Sequence, residues 1–109
     1  MKTITNDAEF EKEINATDKF ILVDFFATWC GPCQVLGPIL EKLSKDFEDK
    51  IIFAKADVDN IPLNSQKFNV EKIPTVILLK NGKPISSFVG LVPENSIKKW
   101  LENILNKKD

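Results

Sequence analysis

The stretch that most restricts the fold is Phe20-Ile21-Leu22-Val23-Asp24-Phe25-Phe26-Ala27, which carries one polar residue and runs directly into Thr28-Trp29-Cys30-Gly31-Pro32-Cys33. A nearly continuous apolar run of this length, closed by a turn signal, predicts a central strand covered on both faces. An edge strand would alternate toward water. The only two cysteines of the chain stand three residues apart where this strand ends. On the first turn of a helix, residues at i and i+3 share a face about 5 to 6 Å apart, a separation that a disulfide tolerates with little backbone movement. The unpaired N–H groups and positive dipole end of such a helix favour the thiolate of Cys30, the form that acts as nucleophile.

Upstream, Thr3-Ile4 reads as a short edge strand, and Asn6 followed by Glu9 marks the start of a helix over residues 7–15. Downstream of Cys33 a long helix carries Val35, Leu36, Ile39, Leu40, Leu43 and Phe47 at helical spacing, with a kink predicted at Gly37-Pro38. Residues 51–58 read as the next strand, and the strand–helix–strand order makes a right-handed parallel crossover the default. A short helix is expected near residues 63–68. The runs 75–80 and 84–89 flank Asn81-Gly82, a strong signal for a tight antiparallel hairpin, so the sheet is mixed. Ile97, Trp100, Leu101, Ile104 and Leu105 form one stripe of a last helix, after which Lys107, Lys108 and Asp109 are expected to fray. Every connection is short and no repeat or linker interrupts the pattern, so residues 1–109 read as one three-layer α/β domain.

Composition narrows the function classes. A 43% hydrophobic content over 109 residues supports one core, and two cysteines are too sparse for a disulfide-stapled scaffold. The pair is better read as redox or metal chemistry in a reducing compartment. With no histidine, the chain lacks four tetrahedral zinc ligands, leaving only a site shared between molecules. Net charge is −1 and all fifteen basic residues are lysines, which argues against nucleic acid. The start Met1-Lys2-Thr3-Ile4-Thr5 has no apolar signal core, and no apolar run reaches the roughly 18 residues of a membrane span, so a soluble, unprocessed chain is expected. Asn15-Ala16-Thr17 matches the glycosylation triplet, which matters only in a secretory compartment. The four glycines form no G-x-G-x-x-G loop, so flavin or nicotinamide binding is not expected.

Asp24 is the second chemical candidate. A carboxylate inside an apolar strand is costly to bury charged, and its pKa should rise, which would make it a proton acceptor. Pattern alone leaves open a surface aspartate near the strand end. Lys55, in the neighbouring strand, either pairs with Asp24 or packs its stem while its amine reaches solvent.

The segment Val23 to Cys33, followed by Ile73-Pro74-Thr75 and then Asn81-Gly82, resembles the thioredoxin family in order and interval over almost the whole chain. The resemblance implies the thioredoxin fold, an α/β architecture with a central five-stranded mixed β-sheet flanked by four α-helices. It also implies dithiol–disulfide exchange through a redox-active Cys30–Cys33 disulfide with no bound cofactor. The electrons would come from a separate NADPH-dependent flavoprotein, thioredoxin reductase, and pass to disulfide-containing clients such as peroxiredoxins and reductases. A cytoplasmic monomer that binds neither metal, nucleic acid nor membrane is the expectation. In this reading Cys30 is the more exposed, lower-pKa nucleophile, Cys33 resolves the mixed disulfide, and Asp24 accepts the Cys33 proton, with Lys55 as its partner. An X-Pro bond is cis in only about 5 to 6% of folded cases, yet the resemblance implies a cis Pro74 facing the cysteines. Ile73 would then pair with an extended substrate strand. Trp29, Gly31, Pro32, Ile73, Pro74, Thr75, Val89, Gly90 and Leu91 complete the substrate-binding residues, with ordinary strand-end packing as the alternative for Val89 and Leu91.

Three positions depart from the common family pattern: Phe26 where tryptophan is usual, Gln34 where lysine is frequent, and Lys72 where a smaller residue is common. Gln34 removes a cation that would favour the Cys30 thiolate, and Lys72 returns positive charge near the groove or narrows partner choice. Two rival functions use the same scaffold. One is a protein disulfide oxidase or isomerase, against which Gly31-Pro32 argues; the other is a thiol-independent binding subunit.

Overall fold

The computed structural model describes residues 1–107; Lys108 and Asp109, expected to fray with Lys107, lie outside the described residues. Nine elements follow one another: β1 (Lys2–Ile4), α1 (Asp7–Asn15), β2 (Phe20–Phe26), α2 (Gly31–Asp46), β3 (Ile51–Asp57), α3 (Pro62–Lys67), β4 (Thr75–Lys80), β5 (Lys83–Val89) and α4 (Glu94–Leu105). The strands form one sheet in the order β1-β3-β2-β4-β5. Both β1 and β2 run parallel to β3, whereas β4 is antiparallel to β2 and β5.

β2 lies at the centre because both of its faces are apolar. Alternation sends Ile21, Val23 and Phe25 into one half of the core, with Phe10 and Ile14 of α1 and Ile61 ahead of α3. Leu22 enters the other half, against Leu36, Leu40 and Leu43 of α2 and Ile97 and Leu101 of α4. Asp24 shares the parity of Leu22 and therefore points to the α2 side of the sheet.

The helix signals act as their chemistry requires. Asn6 caps α1 by accepting the Glu9 N–H at 2.7 Å, while the Glu9 carboxylate reaches back to the Thr5 N–H at 3.1 Å. α2 begins at Gly31, two residues before the expected start, because Cys30 itself is the cap. Pro38 lies inside α2, which continues through it to Asp46. Val35 departs from the expected apolar stripe: it is 53% exposed, because α2 packs on the sheet through Cys33, Leu36, Leu40 and Leu43. Asn81 and Gly82 have φ of 53° and 76°, the left-handed pair that a two-residue hairpin needs. A Cβ on Gly82 would also overlap the Asn15 side chain. No helix among the described residues is long and apolar enough to cross a membrane.

Candidate active site

The site forms where β2 hands over to α2. Cys30, with φ −95° and ψ 114°, is extended, and its Sγ accepts the Cys33 N–H at 3.2 Å. Pro32 sits in the first turn, where its missing N–H costs no helical hydrogen bond. The two cysteines form a disulfide with a Cα–Cα distance of 5.3 Å, within the separation expected from their spacing. Cys30 was expected to be the more exposed thiol. In the disulfide the two residues are almost equally covered, at 6% and 5%, because both pack against Ala27, Phe26, Val58 and Ile73. Their surroundings distinguish them: Cys30 occupies the helix N-terminus, and Cys33 lines a cavity open to solvent.

That cavity has a volume of about 440 Å³ and is also lined by Asp24, Phe26, Thr28, Gly37, Glu41 and Lys55. Asp24 is only 2% exposed, and its Oδ1 has no hydrogen-bond partner. Burial pushes its pKa up to about 7, against the opposing pull of the Lys55 charge. Lys55 stands directly across from Asp24 in the β2–β3 register. No ion-pair contact joins them among the described residues, and the Lys55 ammonium lies 5.9 Å from the centre of the Phe26 ring. The expected Asp24–Lys55 partnership is therefore a longer-range attraction, with the ammonium held over an aromatic face.

Of the other expected residues, Ile73 reaches the disulfide and Gly90 is tied to the proline loop. The Ile73–Pro74 peptide is cis, and Ile73 packs against the cysteine pair. Gly90, at φ 90°, donates its N–H to the Pro74 carbonyl at 2.8 Å, joining the end of β5 to the proline loop. Trp29 is 71% exposed, and Val89 and Leu91 are about half exposed. Gly31 and Pro32 are exposed, whereas Pro74 is buried. Thr75 is buried as well, and its hydroxyl donates to the Lys72 carbonyl, so it braces the loop from within.

Other contributors carry no local sequence signal. The Trp29 indole N–H donates to Asp59 Oδ2 at 3.3 Å, across thirty residues of sequence. Gln34, noted for the cation it lacks, donates through Nε2 to the Thr28 carbonyl at 3.1 Å and ties the turn to the helix. Gly37 and Glu41 enter the site only through their places on α2, four and eight residues after Cys33, a spacing that puts all three on one face.

The thioredoxin family model matches residues 1–103. The chain is 44% identical to the thioredoxin of Chlorobaculum thiosulfatiphilum over 88% of its length and 89% of the relative's. It is 42% identical to the thioredoxin of Mycoplasmoides gallisepticum, over 94% of this chain and all of that one. A solved structure of Plasmodium falciparum thioredoxin superposes with a TM-score of 0.86 at 35% identity, covering 94% of this chain and 98% of the other. Its fold, its cysteine pair and these relatives agree: the chain belongs to the thioredoxin family of thiol–disulfide oxidoreductases, with the Cys30–Cys33 disulfide as its redox-active group.

Proposed function

We propose that the chain acts as a general protein-disulfide reductase in which the two cysteines have different, ordered roles. In the reduced protein the Cys30 thiolate attacks one sulfur of a client disulfide. A Cys30–client disulfide forms, and the other client sulfur leaves as a thiolate that takes a proton from solvent. Cys33 then gives its proton to Asp24, and its thiolate attacks Cys30 Sγ, releasing the second client sulfur as a thiolate and closing the Cys30–Cys33 disulfide. Two electrons pass from the protein dithiol to the client. A thioredoxin reductase drawing on NADPH restores the dithiol.

The observation that supports this order is the asymmetry of the pair. Cys30 caps α2, where the helix N–H groups stabilise a thiolate, while Cys33 shares a cavity with the buried Asp24 carboxyl. Client chains would dock on Trp29, Gly31, Pro32, Ile73, Val89 and Leu91, with Ile73 supplying backbone hydrogen bonds by strand addition. Pro74, Thr75 and Gly90 hold that surface in place. In this reading residues 1–109 act as one domain and as a monomer in a reducing cytoplasm, on clients of the peroxiredoxin and reductase kind.

Trapping tests the order. Cys33→Ser should accumulate a covalent complex with a disulfide-bearing client, visible on a non-reducing gel and released by dithiothreitol. A complex trapped only by Cys30→Ser would reverse the roles. A Cys30→Ser, Cys33→Ser double variant that kept full biological activity would favour a thiol-independent binding subunit.

A further inference from the structure

A client seated on the docking face covers the outer side of the disulfide at the stage when Cys33 must lose its proton. The cavity beside Cys33 is not walled by Trp29, Ile73, Val89 or Leu91, and its lining extends from Thr28 and Gln34 along α2 to Glu41. At its inner end is Asp24 Oδ1, buried and without a partner. Cys33, Gly37 and Glu41 follow one another along its α2 wall at intervals of four residues, and Glu41 is exposed to solvent. Gly37 is the gap in that wall: a Cβ built there meets no atom within 4 Å. A volume of about 440 Å³ accommodates a chain of waters, each taking about 30 Å³ in the liquid.

We propose that this cavity is a rear exit through which the proton taken up by Asp24 reaches solvent while a client occupies the docking face, and that Gly37 keeps the exit open. The proposal rests on the reading of Asp24 as the proton acceptor. Cys33 transfers its proton to the Asp24 carboxylate, and its electron pair forms the bond to Cys30 Sγ as the client sulfur departs. Asp24 then passes the proton through water to bulk and regains its charge for the next turnover. In the strand register Asp24 faces Lys55 of β3 on one side and apolar Val76 of β4 on the other. From α2 it faces Cys33 and, farther out, Glu41, whose Oε1 lies 3.0 Å from the Met1 amino group. Gly37 is thus a positioning residue, since it touches neither sulfur nor client.

Gly37→Leu and the milder Gly37→Ala, each alone and combined with Asp24→Asn, test this in single-turnover reduction of a disulfide-bearing protein from pH 6 to 9. Alanine is the stronger helix former, so the Gly37→Ala protein keeps the test available should leucine impair folding. The Gly37→Leu protein should form the mixed disulfide at the normal rate and resolve it about tenfold more slowly, a part of the ~10²-fold or more that a positioned base contributes. The Gly37→Ala protein should fall between. In the Asp24→Asn background the added effect of either Gly37 change should vanish. A folded Gly37→Leu protein with the normal resolution rate and pH profile overturns the proposal, as does an equal slowing with and without Asp24. If Asp24→Asn alone leaves the pH profile unchanged, the base reading itself falls and takes the proposal with it.

Discussion

Replacing Asp24 by asparagine separates the stability cost of the buried carboxyl from its chemical use. The carboxyl has an ordinary value of 3.8 and is raised to about 7 in the folded protein by burial in the cavity floor, with Lys55 pulling the other way. Below pH 3.8 it is protonated whether the chain is folded or not, and it then contributes no pH dependence. Between that value and about 7 the folded chain holds a proton that the unfolded chain has lost, so stability falls as pH rises; above about 7 the loss is complete. At 1.36 kcal/mol per pH unit the total is about 4 kcal/mol. The amide of an Asp24→Asn protein escapes this loss, although an unpaired buried amide itself costs roughly 1–3 kcal/mol. Urea unfolding of the oxidised proteins should therefore give a stability difference that moves by about 4 kcal/mol in favour of the variant between pH 4 and pH 8. Other titrating groups cancel in that difference. Parallel stability curves for the two proteins across this range would refute the assignment of a raised, buried carboxyl to Asp24.

Gly82→Ala should destabilise the protein by roughly 1–3 kcal/mol, since alanine at φ 76° is strained, whereas the exposed end of the Asn15 side chain can swing clear of the methyl; thermal unfolding measures it. Leu91→Asp, at a half-exposed position next to Gly90 in sequence, should stay within about 0.5 kcal/mol of the parent in stability while lowering kcat/KM for protein disulfides several-fold. A loss of stability with unchanged kcat/KM would return Leu91 to ordinary packing.

Most of the fold follows from patterns that single segments carry. The apolar run in β2 marks its central place, Asn81-Gly82 marks the hairpin, and Asn6 with Glu9 marks the α1 cap. Each rests on local chemistry that tertiary packing then reinforces. Val35 shows where periodicity stops being informative: an apolar residue at helical spacing can face solvent, and only the way the helix sits on the sheet decides which stripe is covered. The cysteine spacing indicates the disulfide, but the near-equal covering of the two residues depends on Ile73 and Val58, which arrive from distant loops. The cis bond at Pro74 has no compositional signal, and only the family resemblance implies it. Asp59, which holds the Trp29 indole, lies beyond local reasoning because it meets its partner through the β2–β3 crossover. So does the role of Gly37, which shows only once a cavity is seen around the missing side chain.

The direction of electron flow is the centre of this account, and the reduction potential of the Cys30–Cys33 pair tests it most directly. Equilibration against a defined thiol–disulfide buffer, with the oxidised fraction scored at each poise, gives the value. Thioredoxin itself sits at about −270 mV, a reference value for the family and not a quantity obtained from this structure. A potential near that value is the predicted result and makes the chain a reductant of other proteins' disulfides. A potential near about −180 mV or higher, the range of protein disulfide isomerase and stronger oxidants, would contradict it and assign the chain to disulfide formation or rearrangement.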